Sequence, residues 1–206
     1  MGYEQTNDRQ EGRRRALPLI QRPLLLLIDF QRLFTDPASP AYIDGVDVAI
    51  SKARVLVSAF ERRGFPILRT RHVHPAGDEG GVHGMFWDRL QRAEDPLSEP
   101  CPLVEAFAGR VPLFDKARAS ALHSLRVTEA VAHADAVVIV GVQTQVCVLA
   151  TALDVARQDV RPIVVGEACA ARSEAAHDAA LEVLASGHAH VVDVDTLISA
   201  LGEGRR

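Results

Sequence analysis

The stretch Ala136-Val137-Val138-Ile139-Val140-Gly141-Val142-Gln143-Thr144-Gln145-Val146-Cys147 joins two kinds of apolar pattern. Its first five residues are a short run without polar alternation, as expected of a strand buried on both faces of a parallel sheet. Residues 144–157 are apolar nearly all round and read as a central, buried helix. Working outward, similar short runs recur at residues 24–28, 65–68, 111–114, 162–165 and 189–192. Helix-like segments lie between them. Residues 46–63 put Ile50, Val57 and Phe60 on one face before Gly64 stops the helix, and residues 120–133 are amphipathic. Ser173 and Glu174 start another helix that Gly187 closes, and a short apolar helix at 196–201 caps the sheet. Such alternation implies right-handed crossovers and a three-layer α/β/α sandwich.

The chain has 206 residues, 48% hydrophobic and 24% charged, enough for one domain to bury a full core without disulfides or metals. That hydrophobic share excludes a disordered chain, and no apolar run reaches membrane-spanning length. The net charge of −4 lacks the basic excess that phosphate contacts require, and 5% aromatic content leaves little for base stacking. Nucleic acid and membrane are therefore excluded as expected partners. The three cysteines, Cys101, Cys147 and Cys169, are an odd number without a CxxC pair, which argues against a disulfide framework or a cysteine-rich zinc site. Residues 1–22 read as a polar tail or subunit-binding arm ahead of a single domain at 23–206. Arg9, Arg13, Arg14 and Arg15 are not followed by the long apolar stretch of an export signal, because Pro18 and Gln21-Arg22 interrupt it. A cytoplasmic location is the expectation.

In an open parallel sheet, ligands bind beyond the carboxyl ends of the strands. Three residues there carry chemistry. Asp29 follows Leu24-Leu25-Leu26-Leu27-Ile28 and reads either as a partly desolvated general base or as a loop or capping aspartate. Lys116 follows Val111-Pro112-Leu113-Phe114-Asp115 and reads as a fixed cation beside a carboxylate or thiolate, or as a solvated lysine. Cys147 falls in the first turns of the buried helix. The free amides and dipole there are expected to lower its pKa and to hold an oxyanion; the alternative is a small core residue. Cys101 and Cys169 lack such a helix start and read as filler.

Asp29 within Leu-Leu-Ile-Asp-Phe-Gln, Lys116 followed by Ser120-Ala121-Leu122, and Gly141-Val142-Gln143-Thr144-Gln145-Val146-Cys147-Val148 together resemble the isochorismatase-like cysteine hydrolases. Thr151-Ala152-Leu153-Asp154, Val164-Val165-Gly166-Glu167-Ala168 and His177 fit the same pattern, so the resemblance runs from about Leu24 to Val192. It implies a six-stranded parallel sheet and a triad in which Cys147 is nucleophile, Asp29 its base and Lys116 a charge stabiliser. It also implies a cis peptide at Val142–Gln143, with the amides of Gln143 and Cys147 forming the oxyanion hole. The chemistry expected of these residues is attack by the Cys147 thiolate, a thioester and its hydrolysis by water.

Within the family, retaining Cys147 points to C–N bond hydrolysis of a small amide, carbamoyl or ureido group. The alternatives are an enol ether hydrolase of the isochorismatase type with Cys147 idle, a nicotinamidase-like metal-dependent amidase, and a non-catalytic member. Nicotinamidases carry an Asp-x-His metal motif where this chain reads Thr70-Arg71-His72-Val73-His74-Pro75. With the aspartate missing and the spacing lengthened, no metal is expected; the alternative is zinc held by His72, His74 and His83. Gln31, Phe34, His72, His74 and Trp87 are the expected substrate contacts, core packing being the alternative for Phe34, surface loop positions for the histidines, and core or subunit packing for Trp87. The glycine-rich loop at 77–84 reads as a lid, with Met85, Phe86 and Trp87 closing an apolar wall. Residues 89–99 read as a solvated face. The family pattern also implies a homodimer or homotetramer acting on a small-molecule substrate.

Overall fold

In a computed structural model of the protein, residues 17–87 and 90–202 are described. The remainder, including Arg9, Arg13, Arg14, Arg15 and Arg89, lies outside the described residues. Six parallel strands form one sheet in the order β3-β2-β1-β4-β5-β6. They are β1 (Pro23–Ile28), β2 (Ile67–His72), β3 (Leu113–Lys116), β4 (Ala136–Val142), β5 (Arg161–Ala170) and β6 (His190–Val192). The helices are α1 (Arg32–Thr35), α2 (Val46–Arg63), α3 (Gly81–Gly84), α4 (Pro102–Ala108), α5 (Leu125–Val131), α6 (Leu149–Arg157), α7 (Glu174–Ala185) and α8 (Val194–Ala200).

The apolar runs are double-sided because the sheet is covered on both faces. Leu25 and Leu27 join Val138, Val140 and Ile163 in a core with α2, α4 and α8. Leu24, Leu26 and Ile28 join Val137, Ile139 and Val164 in a second core with α5, α6 and α7. The period-two alternation of strand side chains divides the hydrophobic residues between these layers. Since β1 pairs with β2 on one side and β4 on the other, the connections diverge from it, and the crevice between β1 and β4 is the switch point where ligands bind. Gly141 makes this closeness possible. It sits at φ +126°, and a Cβ there would overlap the Ile28 carbonyl on the neighbouring strand.

Several elements depart from the expected boundaries. β2 begins later and runs to His72, and β3 runs to Lys116, because polar residues in both strands have partners across the sheet. Arg71 pairs with Asp115 at 2.8 Å, and buried Arg69 pairs with Glu105 and donates to the Val111 carbonyl. β5 extends to Ala170, so Cys169 lies inside a strand and not after one. The expected helix at 120–133 is broken. Ala121–His123 forms a 3₁₀ turn capped by Ser120, and α5 starts after Ser124. The helix expected from residue 144 opens with a π-turn at Thr144–Val148. Within the described part of residues 1–22, Ile20 is fully buried and bridges Leu201. Among the described residues no helix is long and apolar enough to cross a membrane.

Candidate active site

Asp29, the first residue beyond β1, turns the chain at φ +50°, a left-handed conformation that aspartate tolerates better than most residues. Its carboxylate is fully buried. Oδ1 accepts from the Thr70 hydroxyl at 2.8 Å, and Oδ2 lies 2.7 Å from the Lys116 ammonium. Lys116, only 1% exposed, ends β3, and its Nζ donates to Cys147 Sγ at 3.4 Å and to the Arg118 carbonyl at 3.0 Å. It also lies 3.2 Å from His72 Nδ1. The three strand-end residues singled out in the sequence therefore meet at one point.

Cys147 sits on the π-turn. Its carbonyl accepts from Thr151 at 2.6 Å, and the Thr144 hydroxyl is 2.9 Å from His177 Nδ1 on α7. The Val142–Gln143 peptide is cis. Gln143 is extended, and its carbonyl accepts from the amides of Val146 and Val148.

The electrostatics depart from expectation at the thiol. Burial pushes the Cys147 pKa up to about 12; the Lys116 charge opposes this, and the Asp29 carboxylate adds to it. The helix start does not prevail, because desolvation of a buried thiolate is the larger effect. Burial also works against the charge on Lys116, but Asp29 and Cys147 outweigh it and raise its pKa. His72 is pushed down to about 2, first by burial and then by the Lys116 charge, so it is neutral across the physiological range. Burial likewise lowers His74 and His83. Asp78 is held well below the usual carboxylate range by hydrogen bonds from Arg118 and the Gly80 amide.

A cavity of about 260 Å³ opens over the thiol. Cys147, His72, His74 and Gln143 line its floor, while Leu33, Phe34, Val146 and Trp87 give it apolar walls. Trp87 stacks on His83, with ring centroids 5.5 Å apart. Asp29 and Lys116 lie behind the floor. Gln31 does not reach the cavity: its amide group is used to accept from His72 N and donate to the His72 and Ser98 carbonyls. Met85 and Phe86 do not form the expected wall, being 79% and 78% exposed. The expected solvated face at 89–99 turns inward in part, with Gln91 and Ser98 buried and the Gln91 carbonyl accepting from His74 N.

Thr70, Asp78, Arg118, Gln91 and Arg172 were not singled out from the sequence. Arg118 and Arg172 carried a usable signal, each a cation two residues past the end of a strand. Exposed Arg172 lines the cavity and, among the described residues, makes no ion pair.

His72 and His74 have a polar neighbour at each of their four ring nitrogens. His72 Nε2 faces His74 Nε2 at 3.1 Å, while His72 Nδ1 faces Lys116 and His74 Nδ1 faces Asp78. Among the described residues the donors gathered within 4.8 Å of one another are Asp29, His72 and Cys147, and the Lys116 ammonium lies against all three.

A thiol, a carboxylate and an ammonium thus meet at the switch point of a doubly wound sheet, where ligands of such folds bind. The isochorismatase domain model matches residues 23–196, and the chain belongs to the isochorismatase family of hydrolases. A maleamate amidohydrolase from Pseudomonas putida is 32% identical over 183 residues, covering 84% of this chain and 83% of that protein. Nicotinamidase 3 from Arabidopsis thaliana is 26% identical over 190 residues, covering 86% and 87%. The crystal structure of a cysteine hydrolase from Pseudomonas syringae pv. phaseolicola has a TM-score of 0.77 at 19% identity, covering 90% of this chain and 97% of that one, a likeness of fold.

A thiol with its pKa raised to about 12 is protonated at neutral pH. The difference in absorbance near 240 nm between the wild type and Cys147→Ala should therefore show no thiolate from about pH 6 to 9. A thiolate signal already at its plateau by about pH 7 would mean that the lysine outweighs burial.

Proposed function

We propose that the protein hydrolyses a C–N bond of a small amide, carbamoyl or ureido substrate, with Cys147 as nucleophile, Asp29 as general base and acid, and Lys116 as a fixed cation. One observation carries this reading: of the three residues, Cys147 alone lines the cavity, and the Lys116 ammonium lies against both its sulfur and the Asp29 carboxylate.

The thiol proton passes to Asp29 as the sulfur attacks the substrate carbonyl carbon. Because the thiol is not ionised beforehand, proton transfer and attack are coupled. The carbonyl oxygen becomes an oxyanion facing the amides of Gln143 and Cys147. When it collapses, the C–N bond breaks, the nitrogen takes the proton from Asp29, and a thioester remains on Cys147. Asp29 then removes a proton from water, the hydroxide adds to the thioester carbonyl, and the C–S bond breaks. The sulfur regains its proton from Asp29. Lys116 stays charged throughout and offers an N–H to the sulfur as negative charge develops there.

The cavity is small and largely apolar, and its lining residues include Cys147 and exposed Arg172, which has no ion-pair partner among the described residues. The name of the P. putida relative specifies maleamate, a short molecule with an amide at one end and a carboxylate at the other. This supports a substrate whose amide lies over Cys147 and whose carboxylate pairs with Arg172, since guanidinium–carboxylate pairing supplies both energy and orientation.

Ammonia release measured across maleamate, nicotinamide, carbamoyl amino acids and ureides should reveal C–N hydrolysis. Cys147→Ala should lose about three orders of magnitude or more of it while keeping its far-UV circular dichroism. Unimpaired turnover by this variant, or silence of the wild type across the panel, would sink the proposal. Arg172→Ala should raise KM for an acid amide about 10- to 100-fold and leave a neutral amide within about twofold. Equal effects on both substrates would remove Arg172 from the recognition of charge.

A further inference from the structure

The four hydrogen-bonding nitrogens of His72 and His74 form one continuous line from Lys116 to Asp78. Lys116 Nζ lies 3.2 Å from His72 Nδ1, His72 Nε2 lies 3.1 Å from His74 Nε2, and His74 Nδ1 lies 3.4 Å from Asp78 Oδ2. The far end is clamped. Asp78 accepts from both terminal nitrogens of Arg118, at 2.8 and 3.2 Å, and from the Gly80 amide at 2.8 Å. Arg118 also returns to the start of the line, because its carbonyl accepts from Lys116 Nζ.

Elementary donor and acceptor rules give this line one direction. An ammonium can only donate, so His72 Nδ1 accepts and the proton of the neutral ring sits on Nε2. That proton faces His74 Nε2, which must accept, leaving the His74 proton on Nδ1 and aimed at Asp78. An ionised carboxylate can only accept, so the line ends consistently. Reversing either ring would set two N–H groups face to face. Lys116 has three protons for four acceptors within reach, Asp29 Oδ2, the Arg118 carbonyl, His72 Nδ1 and Cys147 Sγ. The line therefore helps aim the ammonium protons among these acceptors, the sulfur included.

Resting on the triad reading above, we propose that Asp78, clamped by Arg118, is a positioning residue. It sets the proton arrangement of His72 and His74, and through them the orientation of the Lys116 ammonium. The same hydrogen bonds engage the imidazole nitrogens that a metal ion would need. Asp78→Asn preserves shape but breaks the direction. The carboxamide NH₂ must face either His74 and Arg118 or Arg118 and the Gly80 amide, and each arrangement opposes donors.

The test uses the ¹⁵N-labelled full chain without a histidine tag. Long-range ¹H–¹⁵N spectra at neutral pH should show His72 protonated on Nε2 and His74 protonated on Nδ1, both neutral and both unaltered by one equivalent of Zn²⁺. In Asp78→Asn the single His74 tautomer should be lost and kcat should fall about 10- to 100-fold, with KM within about twofold and an unchanged thermal midpoint. Reversed or mixed tautomers in the wild type, displacement of the His72 and His74 signals by stoichiometric Zn²⁺, or an Asp78→Asn protein with unaltered kcat and spectra would each overturn the proposal. The wild-type spectra require no turnover. A protein with this tautomer pattern but no C–N hydrolysis would count against the triad reading, not against the hydrogen-bonded line.

Discussion

A lysine ammonium that is 1% exposed must find its partners inside the protein, and those of Lys116 come from four separate segments. Asp29 arrives from the end of β1, His72 from the end of β2, the Arg118 carbonyl from the loop after β3, and Cys147 from the turn after β4. Leaving such a charge unpaired would cost several kcal/mol, so the lysine holds these segments in register at the carboxyl edge of the sheet. The strand order sets the geometry. β3 is separated from β1 by β2, and the lysine side chain crosses the end of β2 to reach Asp29. β2 is built for that crossing: Thr70 holds the other carboxylate oxygen, and His72 offers a lone pair along the way.

The same buried charge bears on the state of the proposed nucleophile. A cysteine at a helix start beside a cation has the features of an activated thiolate. Here the carboxylate opposes the cation's effect and desolvation is the largest influence, so the thiol keeps its proton. In the proposed reaction Asp29 is then needed as an acceptor at the moment of attack and not only as a partner for lysine. The resting site combines a buried, protonated sulfur with a charge pair already in place, an arrangement suited to a base and acid that hands the same proton to the leaving nitrogen.

The sheet was legible in the sequence because the six apolar runs were short and uninterrupted, and the two central ones, in β1 and β4, lie where expected. The ends of β2 and β3 were not, because Arg69, Thr70, Arg71 and His72 interrupt the apolar pattern and their partners are distant in sequence. The positions of Asp29, Lys116 and Cys147 followed from the rule that chemistry gathers beyond strand ends. Gln31 shows the limit of that rule. It stands beside the site but braces His72 and Ser98 from behind, and only the fold reveals which way its amide points. Asp78 was invisible for the same reason, and Arg118, a cation just past a strand, acquires meaning only once the His72–His74 line ends on Asp78.

The covalent role proposed for Cys147 is tested most directly by trapping the intermediate. Enzyme turning over an acid amide would be quenched in acid and mapped by peptide mass spectrometry. The expected result is an acyl group, with the mass of the substrate less ammonia, on the peptide carrying Cys147 and on neither Cys101 nor Cys169. An acyl group on another residue, with Cys147 unmodified during turnover, would contradict it.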